Sequence, residues 1–171
     1  MTYIGFWRSR LGEIIFHPLN FCLGFGIAFS FGLLFMRFHI AGNGQYLFLV
    51  WNLFLAGLLV ASTSLKFLHE SGKWKWYLSL QLIFFWLAFL PNAPYILTDL
   101  FHLRTIPPAP KWLDLMLILS FAWNGLMFGL ISVMDMQEIF SQRWTRFTGW
   151  FVAIGALVAS SFGIYLGRFL R

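Results

Sequence analysis

Reading along the chain, apolar residues come in long unbroken runs separated by short polar stretches. Five runs stand out: Leu19–Phe38, Tyr46–Leu65, Trp76–Leu97, Trp112–Val133 and Gly149–Leu170. Each is roughly 20 residues, the length a helix needs to cross about 30 Å of hydrocarbon at 1.5 Å per residue. The runs are continuous and do not alternate, which predicts helices and not the strands of a barrel. Ahead of them, Ile4, Trp7, Leu11, Ile14 and Ile15 fall at helical spacing with Arg8, Arg10 and Glu13 between. That pattern over Tyr3–Phe16 predicts an amphipathic helix lying in the membrane interface. The expected fold is therefore all-α: a single polytopic transmembrane bundle over residues 1–171, with about five spans.

The third run is the irregular one. Only Trp76–Leu90 precedes the sequence Pro91-Asn92-Ala93-Pro94-Tyr95. Each proline removes a backbone donor and crowds the preceding turn, so the span should kink or break near membrane depth. Irregular backbone there is tolerated only where it is buried in protein or lines a wet cavity. A stiff Pro-rich connection, Thr105–Pro110, leads into the fourth run.

The first and last runs carry small residues at four-residue spacing: Gly24, Ala28 and Gly32, then Gly155, Ala159, Gly163 and Gly167. Such stripes let helix backbones approach closely. Packing inside the chain is the favoured use, contact with other membrane subunits the second.

Composition agrees with lipid as solvent: 60% hydrophobic residues, 11% charged, and a mean hydropathy of +0.75. Soluble domains carry about 25% charged residues. The net charge of +6 is spread through short loops, with no phosphate-tracking basic stripe, which argues against nucleic acid as a partner. Cys22, the single cysteine, cannot form an internal disulfide. The first run lacks a small-residue exit and reads as a retained helix and not as a cleaved signal.

Alternating sides for five spans places Arg8, Arg10, Lys66, Lys73, Lys75, Arg143 and Arg146 on one face. The other five cations, Arg37, Arg104, Lys111, Arg168 and Arg171, lie opposite. Seven against five favours a cytoplasmic amino terminus. The same alternation gathers Asn52, Asn92, Tyr95, Asp99, His102, Arg104, Asp114 and Arg168 at one end of the bundle, near Arg37 and His39. These eight are the candidate ligand-binding residues, because polar groups within spans mark functional sites by default. Asp99 and His102, three apart, share a helix side. Arg168 is positioned to anchor at headgroups or to pair with Asp99 or Asp114, and Asp114 also has Lys111 beside it. Asn124, deep in the fourth run, should hydrogen-bond between helices. No metal-ligand spacing, serine elbow, Walker loop or dinucleotide fingerprint occurs, so no cofactor and no catalytic residue is assigned.

Three stretches carry a resemblance: Trp51–Ala56, Phe89–Leu100 with its Pro-Asn-Ala-Pro core, and Gly163–Arg171. They resemble a bacterial family of integral membrane proteins catalogued as domain of unknown function 1361. The similarity runs from the second span to the end of the chain. It implies a multi-pass protein of a bacterial plasma membrane and supplies no activity.

Overall fold

The computed structural model describes residues 18–60, 76–102 and 109–169. The interfacial helix expected over Tyr3–Phe16, the loop cations Lys66, Lys73 and Lys75, and Arg104 lie outside them. So do the side chains of His102 and Arg168.

Every regular element among the described residues is helical. α1 runs Pro18–Ala41 and α2 runs Phe48–Gly57, continued by a 3₁₀ turn, Leu58–Val60. α3 (Trp76–Phe89) and α4 (Asn92–Thr98) are the two halves of the third run, and a 3₁₀ turn over Asp99–His102 follows. α5 (Lys111–Arg143) and α6 (Arg146–Phe169) complete the order. Among the described residues four stretches are long and apolar enough to cross a bilayer: Phe21–Ala41, Tyr77–Thr98, Lys111–Arg143 and Arg146–Gly167. α2 is apolar but has only 10 residues, and the rest of the second run, 61–65, is outside the described residues.

α5 is the hub. Its 33 residues extend about 50 Å, well beyond the Trp112–Val133 segment that hydropathy marked. Asp114, Leu117, Phe121, Gly125, Ser132, Met136 and Ile139 recur at three- to four-residue and multiple-turn intervals and are all buried. α1, α2, α4 and α6 each pack along it.

Paired contacts give the helix directions. Arg37 meets Asp114 and Ser30 meets Asn124, so α1 runs antiparallel to α5. The Cβ positions of Gly125 and Gly129 face Ile96 and Ala93 respectively, making α4 antiparallel to α5 as well. Gly163 faces Pro91 and Gly167 faces Tyr95, so α6 runs parallel to the third span.

The interruption at Pro91 is a kink in a nearly continuous helix. Pro91 keeps right-handed helical angles, φ −61° and ψ −23°. The two prolines deny regular bonds to the carbonyls of Leu87 and Leu90. The Ala93 amide then turns to the Leu90 carbonyl at 3.2 Å, and Tyr95 bonds the Pro91 carbonyl at 3.1 Å. That leaves the Phe89 carbonyl without Ala93, and the Asn92 side-chain amide donates to it at 3.2 Å. Asn92 thus repairs the helix where the prolines disturb it.

The small-residue stripes are used differently from expectation. Nothing lies within 4 Å of a Cβ built at Gly24, Gly32 or Gly155, and Ala28 and Ala159 are exposed. The close helix contacts instead use Gly26, whose Cβ would sit 2.5 Å from Asn124 Oδ1, and the Gly125–Gly129 pair. In the second stripe, Gly163 and Gly167 do pack inside the chain, against Pro91 and Tyr95. A helix that is apolar all round gives no sign of which stripe turns inward.

Candidate functional site

Two carboxylates are buried at one end of the bundle, each in contact with a side chain from another helix. Asp99, 3% exposed, opens the 3₁₀ turn after α4. Asn52 of α2 donates through Nδ2 to Asp99 Oδ2 at 3.1 Å. The two residues share a helix end because α4 lies against both α2 and α5. Tyr95 lies one turn earlier, half-buried, with Gly167 of α6 against its ring edge.

Asp114, fully buried in the first turn of α5, meets Arg37 from near the end of α1. Arg37 Nε lies 2.5 Å from Asp114 Oδ1, with both side chains at most 2% exposed. Arg37 also donates through Nη1 to Asn43 Oδ1 at 3.3 Å and stacks over the Tyr46 ring, 5.4 Å from its centroid. The ion pair is single-pronged. Among the described residues Arg37 Nη2 is buried without a hydrogen-bond partner, while the buried Tyr46 hydroxyl lies against the Asp114 carboxylate.

The Arg168 side chain, which the sequence offered to Asp114, lies outside the described residues, and Asp114 is met by another cation. Its cation is Arg37, from 77 positions earlier, while Lys111 of the same turn is exposed. Arg37 is the only charged residue from Pro18 to Val60, and that isolation at an apolar helix end was the signal available in the sequence. Asn92 uses its side-chain amide on the Phe89 carbonyl. His102 shares the 3₁₀ turn of Asp99 as spacing predicted. Asn124 makes the expected bond between helices, Nδ2 to Ser30 Oγ at 2.9 Å.

Among the described residues no group of three His, Cys, Asp or Glu side chains is arranged to hold a metal ion. An open cleft of about 740 Å³ lies between α1 and α2, with Arg37 among its lining residues.

A family model described as "Protein of unknown function (DUF1361)" matches residues 51–171. The chain belongs to the DUF1361 family. Within this DUF1361 protein the matched residues take in α3 to α6 and most of α2, hence Asn52, Asp99 and Asp114, but not α1 or Arg37. No curated protein matches the chain, and neither does any solved structure.

Proposed function

We propose that this DUF1361 protein crosses a bacterial plasma membrane five times, amino terminus inside, and binds a small polar ligand at the end of its kinked third span. Asn52 and Asp99 form the recognition pair. Alternation of the spans adds Asn92, Tyr95, His102, Arg104, Asp114 and Arg168 as further candidates at the same end.

The observation that carries this reading is the Asn52–Asp99 hydrogen bond. It joins two helices, both members fall inside the family-matched segment, and one is a buried carboxylate. Ionisable groups at such depth are costly, and they mark ligand or ion paths in membrane proteins. A kinked helix beside them is the pointer that transporter sites provide.

The test is a thermal-shift panel on purified chain, using small cations, anions and zwitterions as probes. At least one should raise the unfolding midpoint of the wild type and leave Asp99→Asn and Asn52→Leu unmoved. Variants that never accumulate in the membrane, with no solute acting on the wild type, would make the pair structural.

A second reading, an accessory subunit of a larger membrane assembly, is favoured by the exposed Gly24–Ala28–Gly32 face of α1. Purification in gentle detergent followed by native mass spectrometry separates the two. A lone chain at 19.9 kDa speaks against the subunit.

A further inference from the structure

Gly42, with φ at +63°, closes α1: its amide bonds the Phe38 carbonyl and the chain reverses towards α2. Arg37 braces this turn by donating to Asn43, and pairs with Asp114 of α5. Tyr46 follows three positions after Asn43 and is buried. The Arg37 guanidinium lies over its ring, and its hydroxyl donates to the Asp114 carboxylate. One carboxylate on α5 thus holds the end of α1 and the approach to α2 together.

α2 needs that hold, because its own composition does not set its rotation. Apart from Asn52, Phe48–Gly57 is apolar, and a helix apolar all round has no preferred face. Its inward stripe begins before the helix does, at Tyr46, and continues through Leu49 and Leu53 against Leu117 and Phe121 of α5. Asn52 sits beside that stripe, where its Nδ2 reaches Asp99 Oδ2 at 3.1 Å. Six positions, about 9 Å of helix, separate it from Tyr46. Hydrogen bonds weaken steeply as distance and angle depart from the ideal, so a small turn or slide of α2 is enough to break this one.

We infer that Tyr46 is a positioning residue for the Asn52–Asp99 pair, which rests on the reading of that pair as the ligand site. The bond from its hydroxyl to Asp114 pins the start of α2 on α5, and so fixes the depth and rotation at which Asn52 meets Asp99. Two contacts at different heights, on Asp114 of α5 and on Asp99 after α4, place a helix that hydrophobicity leaves free to turn. The hydroxyl requires only an acceptor at position 114. Its role is therefore separable from the ion pair that Asp114 makes with Arg37.

The test follows modification of Asp99 by dicyclohexylcarbodiimide in the full chain in vesicles, with the label located by mass spectrometry. The reagent attacks protonated carboxyls, and a donor held on a carboxylate opposes that form. Asn52→Leu should therefore speed labelling of Asp99 several-fold. Tyr46→Phe keeps the ring under Arg37 and loses only the hydroxyl, and it should speed labelling by a similar factor. The double variant should be no faster than Asn52→Leu alone, because both changes remove the same contact. Asp114→Asn keeps an acceptor for the hydroxyl and should leave the rate near that of wild type, although the ion pair is lost. An Asp99 rate unchanged in Tyr46→Phe but raised in Asn52→Leu would overturn the positioning role and leave the recognition pair standing. A rate unchanged in Asn52→Leu itself would remove the pair, and the inference with it. Equal acceleration in Asp114→Asn and Tyr46→Phe would show general loosening of the bundle and overturn the role, as would failure of Tyr46→Phe to accumulate. If Asp114→Asn fails to accumulate, additivity in the double variant decides: rates that multiply overturn the role.

Discussion

Arg37 and Asp114, 77 positions apart, form a buried ion pair that ties the end of α1 to the beginning of α5. It joins a residue outside the family-matched segment to one inside it. Removing one member leaves the other charge buried and unpaired. Arg37→Leu or Asp114→Leu alone should therefore cost about 3–5 kcal/mol, while the double replacement recovers most of the loss. Tryptophan-fluorescence unfolding in detergent checks this. Single variants as stable as the double would show that the pair contributes nothing to holding α1 in place.

α4 and α5 approach closely at two glycines. A Cβ at Gly129 would lie 2.8 Å from the Ala93 Cβ, and one at Gly125 would lie 3.0 Å from the Ala93 carbonyl oxygen. Gly129→Ala should destabilise by about 1–3 kcal/mol, because α4 has to shift outward. Gly24→Ala and Gly32→Ala meet open space and should be neutral or slightly stabilising through helix propensity. Comparing the four melting points decides which small residues the fold depends on.

Asn124 links α5 to α1 through Ser30, and its own Ser120 carbonyl takes a second bond from the same amide at 2.9 Å. Hydrogen bonds between membrane helices average about 0.6 kcal/mol. Asn124→Leu should therefore cost only about 0.5–2 kcal/mol, most of it from the tight fit against Gly26. A double-mutant cycle with Ser30→Ala should recover the pairwise part.

Asn92 separates repair of the kink from ligand binding. Asn92→Ala uncovers the Phe89 carbonyl and should lower stability by about 1 kcal/mol. It should leave intact any ligand-induced thermal shift that Asp99→Asn abolishes. A loss of that shift in Asn92→Ala would assign Asn92 to the binding site as well.

Much of this was legible in one dimension. A span must be apolar for roughly 20 residues, so the positions of α1, α3 with α4, α5 and α6 follow from run length alone. Pro91 and Pro94 announced the kink, because a missing donor acts on its own backbone wherever the helix lies. Alternation of sides then brought Arg37, Asn52, Asp99 and Asp114 to one end without any knowledge of their partners.

Partnership itself depended on rotation of each helix about its axis. α1 is apolar around its whole circumference, so its sequence does not distinguish Gly26 and Ser30, which face Asn124, from Gly24 and Ala28, which face outward. The choice of Arg37 over Lys111 for Asp114 arises in the same way, from how α1 is laid against α5. Side-chain chemistry and hydrophobic length are written residue by residue and survive in the linear sequence. Which faces meet is settled only when several helices compete for the same surface of α5, and that competition exists only in three dimensions.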